Sequence, residues 1–504
     1  MKLKLSLVFV LVIVVLSIFY YNITLNSPIV FGDEGYYAFH AEKMSSTGVL
    51  PKFEYLGTDI LHRPFIKPPL FIFVDTFAWL IGGEFGLKLM IPLFSILAAV
   101  MIYLFMKRFY SEGAGLVSAL IFLLTPALVT YGVLNYVDAF LALIFVAGMY
   151  FGYNGLKNNK KKDLILAGIF SALAILTKIT GPLLFIALFI YFVLDKKRNF
   201  KNIFIIFIIV VLILLPWFLR NILFFGNLCY GPLECNDVID VNIQKLGLSF
   251  EGGLPQEGTN VDILKLGLIN FSSFAFGLPI FILLLFGIVN ALQKKGDKDT
   301  FLLLSLFVFV LIFFLGGGAR SEDTARFLVP AVVGISMICG SFIDDLYAAG
   351  KKYNKYLSVF GILVILITVS FFGYEKLSGM TQVKQFSKAF FEACSWIKKN
   401  TNSTDLIFSI YSHQATYTCD RISTATTPDK EEIQLTNNDT SYQHLKLNGF
   451  DYVFVQGFAV SQVAYRDSIS ISFLNYLSNS QNFKKVFDNT DVYSNGGMLV
   501  FKVL

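Results

Sequence analysis

Charged residues are scarce in this chain of 504 residues, which excludes an ordinary soluble protein. Lys, Arg, Asp and Glu together make up 15% of it, whereas about 25% is usual in soluble domains. Hydrophobic residues reach 55%, and the mean hydropathy is +0.65. Apolar runs of about 17 residues or more recur, which is the length that spans a bilayer. The sequence therefore predicts a protein that crosses a membrane many times.

The chain also lacks the features of a protein that binds nucleic acids or nucleotides. The net charge is +6, but Lys and Arg lie in short loops between apolar runs, so nucleic acid is not an expected partner. The polar C-terminal region contains no glycine motif for nucleotide binding, so no nucleotide cofactor is expected. The lipid bilayer is the first partner that the sequence predicts.

Cysteine is rare, with five residues in the whole chain. Cys229 and Cys235 lie in one polar loop, Cys394 and Cys419 lie in the C-terminal region, and Cys339 lies inside an apolar run. If both polar regions face an oxidising exterior, two disulfides can form, and free thiols are the alternative.

The N-terminus resembles a signal peptide, with Lys2 and Lys4 before an apolar run. No small-residue cleavage site follows the run, so we interpret it as an uncleaved first span. Basic clusters then recur after pairs of apolar runs, and basic loops stay cytoplasmic. This pattern predicts an all-α bundle of about eleven spans in the cytoplasmic membrane, with the N-terminus inside and the C-terminus outside. The predicted spans are residues 5–25, 87–106, 115–133, 139–156, 164–178, 181–194, 202–217, 266–291, 300–316, 327–348 and 356–373.

The apolar stretch 68–83 does not fit this alternation. It begins with Pro68-Pro69, contains Asp75 and is only about 16 residues long. Counting it as a span would place the later basic clusters outside. We predict an external helix lying along the bilayer or dipping into it. A true span with inverted topology is the alternative.

From about residue 380 the composition becomes polar. Apolar residues between Val383 and Ile397 recur at helical spacing, and residues 406–410, 452–455 and 498–503 are typical of short buried strands. The sequence therefore predicts a small soluble α/β domain over residues 379–504, outside the membrane, after a membrane domain over residues 1–378.

Acids and cations collect on the loops that this topology places outside. Asp33-Glu34 follows the first span, His62-Arg63 and Lys67 precede the external helix, and Asp138 lies at the outer end of the fourth span. Each has a structural alternative: a helix cap, a lysine among lipid headgroups, or a turn residue. Together they suit transfer from a lipid phosphate to a hydroxyl. The acceptor needs a general base, and the leaving phosphate needs cations.

Several stretches carry a resemblance to the GT-C superfamily of membrane glycosyltransferases. Within it, the chain is most similar to the branch of protein O-mannosyltransferases and the aminoarabinose transferases of lipid A. The resemblance covers roughly residues 1–375. The stretches are GDEGYY at 32–37, KPPL at 67–70, YVDA at 136–139, LTK at 176–178, PWFLRN at 216–221, FGN at 225–227 and ARF at 325–327.

The resemblance implies roles for these residues. Asp33 would be the base that activates the acceptor, with Glu34 assisting it, and Lys67 would hold the donor phosphate. The implied further phosphate-binding residues are Arg63, Arg326 and Lys178. The implied residues for substrate or a divalent metal ion are Asp138, Tyr37 and His62. Residues 33, 34, 67 and 138 are expected to line one cavity that opens to the outside at headgroup level.

One departure concerns the metal ion. Aminoarabinose transferases carry a metal-binding Glu directly before the Lys-Pro-Pro motif, whereas this chain has Ile66 there. The metal ion, lipid A as acceptor and the subfamily are therefore left open. An oligosaccharyltransferase is an alternative within the superfamily, but the sequence has no Trp-Trp-Asp motif and only three Trp.

The expected function is transfer of one sugar from a polyprenyl-phosphate donor to a hydroxyl of a protein, lipid or glycan, with inversion. A transporter or flippase is an alternative, but such proteins place ionisable residues in the middle of their spans, where this chain has almost none. A receptor or scaffold that binds through the C-terminal region is a third alternative. The sequence names neither the sugar nor the acceptor.

Overall fold

The computed structural model describes residues 5–29, 33–51, 65, 67–195, 199–226, 228, 277–315, 326–409, 411–424, 439–457, 471–493 and 497–504. Contacts divide the chain into two compact units. The first consists of Met1–Ile23, Ile66–Phe71 and Leu89–Ser378, and the second of Thr24–Phe65, Ile72–Lys88 and Gly379–Leu504. A separate domain over residues 379–504 stays a prediction, since the second unit also includes two earlier segments.

The described part of the chain is mainly helical before residue 400, as its apolar composition predicts. Polar caps and glycine set several helix ends. Ser111 Oγ accepts a hydrogen bond from the Ala114 N–H at 2.9 Å, and Gly226 ends a helix with a φ of 72°. In chain order the helices are α1 (Leu5–Leu25), α2 (Glu34–Thr47), α3 (Leu70–Phe109), α4 (Glu112–Leu124), α5 (Pro126–Tyr131), α6 (Val137–Asn158), α7 (Lys161–Ile175), α8 (Pro182–Leu194), α9 (Phe200–Phe225), α10 (Leu278–Lys294), α11 (Asp297–Leu315), α12 (Val329–Lys351) and α13 (Lys355–Asn400).

Several helices are long and apolar enough to cross a membrane, which supports the prediction of a multi-pass membrane protein. Among the described residues, six helices meet this criterion, and three shorter apolar helices accompany them. The number of eleven spans is therefore not confirmed, although each predicted segment contains a helix. The six are Leu5–Leu25, Leu70–Phe109, Val137–Asn158, Phe200–Phe225, Arg326–Lys351 and Lys355–Tyr374.

The predicted external helix and the span after it lie in one element, α3, with a break between them. Gly82 and Gly83 have non-helical backbone angles, and the φ of Gly83 is 58°, which favours glycine. A Cβ on Gly86 would lie 2.0 Å from the carbonyl oxygen of Ala78, so the chain needs glycine there too. The break coincides with the predicted boundary, whereas the continuity of α3 was not predicted.

Two other predicted boundaries differ from the structure. The segment 115–133 is divided into α4 and α5, because Pro126 has no N–H to continue α4 and Thr125 before it is extended. The span 356–373 and the amphipathic helix after it lie in one helix, α13. The sequence gives no signal that would end the helix between these two segments. Its composition becomes polar there, but the helical periodicity continues.

Close packing against α8 holds α6, the helix that begins near Asp138. A Cβ on Gly148 would lie 2.4 Å from Leu184 Cδ2, and a Cβ on Gly152 would lie 2.3 Å from Leu188 Cδ2. Glycine at this spacing lets two helices approach in a membrane, where van der Waals packing is a main source of association. Two glycines thus fix α6 in the first unit.

The second unit contains a five-stranded sheet with the order β2-β1-β3-β5-β4. β1 pairs in parallel with β2 and β3, whereas β5 pairs antiparallel with β3 and β4. Predicted strands at 406–410, 452–455 and 498–503 correspond to β1, β3 and β5, while β2 and β4 were missed. The strands are β1 (Ile407–Phe408), β2 (Ser423–Thr424), β3 (Tyr452–Gln456), β4 (Phe483–Asp488) and β5 (Met498–Val503), and the helices among them are α14 (Ser412–Cys419), α15 (Asp439–Leu447) and α16 (Ile471–Asn479).

Side chains alternate between two apolar clusters on the central strands. Val453 and Val455 belong to one cluster with Phe473 of α16, whereas Phe454 belongs to the other with Phe390 of α13. This alternation is the period of two that a strand buried on both faces requires. The sheet is therefore covered by helices on both faces.

Candidate active site

Asp33 and Glu34 lie at the N-terminal end of α2. Asp33 is the residue before the first helical turn, and its carbonyl oxygen accepts from the Tyr37 N–H at 3.1 Å. Glu34 lies in that first turn and is 3% exposed. The positive end of the helix dipole favours carboxylates here in their charged form. The structure thus places both acids at the start of α2.

Aromatic contacts surround the next turn of α2. The buried His40 ring lies 4.1 Å from the Tyr36 ring and 5.7 Å from the Phe65 ring, and its Nδ1 lies 2.8 Å from the Tyr36 carbonyl oxygen. The half-buried Tyr37 meets Tyr36 edge to face at 5.4 Å. These contacts fix the helix that carries the two acids, and they give His40 a structural role.

In the first unit, Asp138 forms an ion pair with Lys178. Lys178 Nζ lies 2.5 Å from Asp138 Oδ1, and the side chains are 14% and 1% exposed. Asp138 is in the first turn of α6, and the Lys178 N–H donates to the Ala174 carbonyl oxygen just after α7. The second oxygen, Asp138 Oδ2, accepts no hydrogen bond from any residue that the structure describes. The pair therefore retains one buried acceptor.

A second cation, Arg326, and two aromatic rings are grouped around this pair. Lys178 Nζ lies 4.2 Å from the centroid of the Phe327 ring. Arg326 Cζ lies 5.1 Å from the centroids of both Phe327 and Tyr136. Cations held over aromatic faces keep their charge while losing part of their hydration. The cluster of Tyr136, Asp138, Lys178, Arg326 and Phe327, called here the cationic cluster, can bind an anion.

The Lys-Pro-Pro-Leu motif is joined to the Leu-Thr-Lys motif by a backbone hydrogen bond. The Leu70 N–H donates to the Leu176 carbonyl oxygen at 2.8 Å. Lys67 is half-buried and is followed by two buried prolines, which restrict the chain before α3. The structure thus brings two predicted motifs of the first unit side by side.

The Pro-Trp-Phe-Leu-Arg-Asn motif has a local structural role. Arg220 Cζ lies 4.8 Å from the Trp217 ring, and its Nη1 donates to Asn221 Oδ1 at 2.8 Å. Asn221 Nδ2 donates to the Leu228 carbonyl oxygen at 3.2 Å. These contacts organise the end of α9, where Gly226 reverses the chain.

The predicted site residues are distributed over both units. Asp33, Glu34 and Tyr37 belong to the second unit, and Lys67, Asp138, Lys178 and Arg326 to the first. The single cavity expected for residues 33, 34, 67 and 138 stays a prediction. His62, Arg63, Cys229 and Cys235 lie outside the described residues.

Two aromatic residues were missed as parts of the site, although both stand in motifs that were recognised. Tyr136 comes two residues before Asp138, and Phe327 follows Arg326. The only signal in the sequence is that each lies close to a charged residue of a motif. In a chain with so many aromatic residues, this signal carries little information.

One of the two disulfides that the sequence allows, between Cys394 and Cys419, is present in the structure, with Cα atoms 4.2 Å apart.

The residues at Asp138 do not fit a divalent metal ion. In the described part of the chain, no group of three His, Cys, Asp or Glu side chains is placed to hold a metal ion. Asp138 is instead paired with an ammonium group, whereas hard cations gather several oxygen ligands. The metal ion stays an untested prediction, and no step below depends on it.

Comparison with known proteins supports the resemblance found in the sequence. Residues 66–222 match the family model described as dolichyl-phosphate-mannose-protein mannosyltransferase. This stretch contains Lys67, Asp138 and Lys178. A comparison with curated protein sequences finds no match.

Solved structures share the fold over almost the whole chain. ArnT from Cupriavidus metallidurans in the apo state is 14% identical, with a TM-score of 0.66 over 99% of this chain and 98% of ArnT. The same protein bound to undecaprenyl phosphate gives a TM-score of 0.64 at 14% identity, over 98% and 97% of the two chains. The archaeal oligosaccharyltransferase AglB from Archaeoglobus fulgidus gives 0.62 at 13% identity, over 88% and 69%. The fold is therefore the GT-C fold, as the sequence resemblance predicted.

Proposed function

We propose that this protein is a membrane glycosyltransferase that moves one sugar from a polyprenyl-phosphate donor to an acceptor hydroxyl. The observation that most supports this proposal is the cationic cluster, which lies in a GT-C fold and beside the Lys-Pro-Pro-Leu motif. Further support comes from ArnT, whose structure holds undecaprenyl phosphate, and from the mannosyltransferase family model. The donor class is thus a sugar linked to a long lipid phosphate.

The proposed reaction is a single displacement. Asp33 takes the proton from the acceptor hydroxyl, and the oxygen forms a bond to the anomeric carbon. The bond from that carbon to the phosphate oxygen breaks, and its electron pair leaves with the lipid phosphate. One displacement inverts the anomeric configuration. Glu34 assists Asp33 at the positive end of α2.

The cations act on the leaving group. Lys67 and Arg326 stabilise the charge that the phosphate gains as the bond to the sugar breaks. Asp138 holds Lys178 in place and balances part of its charge. Asp138 thus acts in substrate orientation through Lys178.

The proposed setting is the outer face of the cytoplasmic membrane. On the predicted topology of about eleven spans with basic loops in the cytoplasm, Asp33, Lys67 and Asp138 would lie at the outer headgroup level. The acceptor is a hydroxyl of a protein, lipid or glycan, and the sugar is a hexose or a pentose.

The test uses the purified full chain in lipid nanodiscs with radiolabelled polyprenyl-phosphate hexoses and pentoses. Extracted surface glycoconjugates and secreted proteins serve as acceptors. We expect labelled product and free polyprenyl phosphate in equal amounts. Asp33→Asn should reduce turnover by about 10²–10⁴-fold while donor binding persists.

The same preparation separates the alternatives. Lipid-linked sugar that crosses proteoliposomes without product, at equal rates in wild type and Asp33→Asn, would establish a flippase instead. Near-normal transfer by Asp33→Asn would reject its role as the base.

A further inference from the structure

In the second unit, a short helix of the C-terminal region packs against the helix that carries the two acids. This helix, α14, is in contact with α2. Its last residue, Cys419, is disulfide-bonded to Cys394 of α13. Ala415 and Cys419 are fully buried. One end of α14 is thus fixed covalently while its side supports α2.

Tyr417 connects α14 to the glycine break of α3. Its hydroxyl donates to Glu84 Oε2 at 3.2 Å, and its ring meets the Trp79 ring edge to face at 6.3 Å. Glu84 in turn forms an ion pair of 2.8 Å with Lys88. Trp79 and Glu84 flank Gly82 and Gly83, where the backbone angles of α3 are not helical. Tyr417 therefore contacts α3 on both sides of its break.

The hydroxyl of Tyr417 lies among carboxylates of two helices. Burial raises the pKa of Tyr417, and the carboxylates of Glu84, Glu42 and Glu34 raise it further. The phenol therefore stays protonated at any physiological pH and remains a donor. The hydrogen bond from Tyr417 to Glu84 therefore persists, and it anchors α14, the helix that packs against α2.

The carboxylate of Glu42 in α2 interacts electrostatically with α13 and with the residue after α14. Burial raises the pKa of Glu42, Lys43 and Lys398 lower it, and Asp420 raises it. Asp420 directly follows the disulfide-bonded Cys419, and Lys398 lies in α13 near its end. Lys398 of α13 therefore attracts the Glu42 carboxylate of α2, whereas Asp420 repels it.

We propose that Tyr417 is a positioning residue, which keeps α2 and its acids in place from a helix clamped by the Cys394–Cys419 disulfide. The inference rests on the proposed function of Asp33 as the base. It assigns the C-terminal region a part in the chemistry, as the support of the acid-bearing helix.

The physical reason is that α2 is short. A helix of 14 residues is marginally stable by itself in water, so it depends on its neighbours. A displacement of about 1 Å at a reacting group can lower a rate by about 100-fold. Support that holds α2 therefore acts on turnover, whereas donor binding by Lys67 and the cationic cluster needs no contact with Tyr417.

The test is Tyr417→Phe in the full chain, which keeps the ring beside Trp79 and removes the hydroxyl. With active protein counted by bound undecaprenyl phosphate, we expect kcat to fall about tenfold and the KM for the donor to change less than about twofold. Hydrogen exchange followed by mass spectrometry should show faster exchange in residues 34–47 and unchanged exchange in β3 and β5.

Tyr411→Phe is the matched control. Tyr411 is also a tyrosine of the second unit, and its hydroxyl donates to Gln456 Oε1 of β3 at 2.9 Å. Losing this bond should leave kcat and the exchange of α2 at wild-type values. The double variant Cys394→Ser/Cys419→Ser should reproduce the effect of Tyr417→Phe on α2, with faster exchange in α14 as well.

Three outcomes decide the inference. Wild-type kcat and α2 exchange in Tyr417→Phe would overturn it. Faster exchange throughout the second unit, or equal effects of Tyr411→Phe, would also overturn it, because Tyr417 would then serve only general stability. If the wild type transfers no sugar but α2 exchange rises selectively, the support of α2 stands and the proposed function fails.

Discussion

Asp138 and Lys178 illustrate how much a single charged residue depends on its partner in this protein. The Asp138 side chain is 1% exposed and its ammonium partner lies 2.5 Å away. A buried carboxylate that loses its cation stays buried and charged, which is far more costly than losing the pair as a whole. The pair is therefore a unit in stability, while the function proposed for it depends on the cation.

Lys178→Ala should destabilise the protein by about 3 kcal/mol because Asp138 is left unpaired. Asp138→Asn combined with Lys178→Met should recover most of this stability and still bind undecaprenyl phosphate more weakly. Thermal unfolding in detergent and lipid titration measure both effects. Lys485→Ala is the control, since its partner Asp488 is on an exposed surface and the loss should be under about 1 kcal/mol. Equal losses in the two single variants would contradict this account.

Lys67→Ala should raise the Kd for polyprenyl phosphate about tenfold or more, because a charge-assisted hydrogen bond to the phosphate is lost. The KM for the acceptor should stay within about twofold. Titration with undecaprenyl phosphate and initial-rate kinetics provide the two numbers. Equal changes for donor and acceptor would count against a phosphate role for Lys67.

At the scale of elements, α3 departs most from a regular helix. Gly82 and Gly83 interrupt it, and at Gly86 the backbone approaches the Ala78 carbonyl oxygen too closely for a side chain. Trp79 and Glu84 lie around this break and contact Tyr417. The break is thus a defined structural feature of the second unit. Glycine permits its backbone angles, and contacts from the C-terminal region stabilise it.

Gly86→Ala should lower stability by about 1–3 kcal/mol, since its Cβ would meet backbone rather than a flexible side chain. Gly361→Ala in α13 is the matched control. No described atom lies within 4 Å of the Cβ it would add, and alanine favours helix, so stability should hold or rise slightly. Thermal unfolding of both variants in the same detergent compares them. If Gly86→Ala leaves stability unchanged, α3 can straighten to accommodate the added Cβ.

At the scale of the whole molecule, the number and direction of the crossings determine which residues lie on the side of the membrane where the proposed donor is used. The described part of the chain contains six helices that are long and apolar enough to span, with shorter apolar helices beside them. Basic loops support an N-terminus inside and an odd number of crossings. Orientation is therefore the property of the whole chain most open to direct test.

A reporter fused after Leu504 should be active only outside the cytoplasm. We expect alkaline phosphatase activity from this fusion and no fluorescence from a matching green fluorescent protein fusion. A phosphatase fusion after Lys160, in a basic loop, should be inactive. The reverse pattern would support the inverted topology in which residues 68–83 form a true span.

Much of the architecture was predictable, because its signals are local. Apolar runs placed α6 to within about two residues and β5 at its observed bounds. β2 and β4 were not predicted, because β2 consists of two polar residues and β4 includes polar positions that are typical of a loop. The end of α4 before Pro126 could have been predicted, since a proline interrupts the hydrophobic run.

The site was predictable only as a set of motifs. Asp33, Lys67, Asp138, Lys178 and Arg326 stand in stretches that resemble one family, and their order along the chain carried the resemblance. Asp138 and Lys178 are 40 positions apart in the chain, and the composition around them does not indicate that they form a pair. Phe327 and Tyr136 were indistinguishable from the many other aromatic residues.

The sequence by itself determined that this is a membrane protein with a GT-C resemblance, because hydropathy and short motifs are properties of neighbouring residues. Only the tertiary structure decided which charges are paired and which helices support one another. Tyr417 reaches Glu84 across 333 positions, and Cys394 meets Cys419 across 25. Such contacts depend on how distant segments pack, and packing between distant segments produces no periodic pattern along the chain.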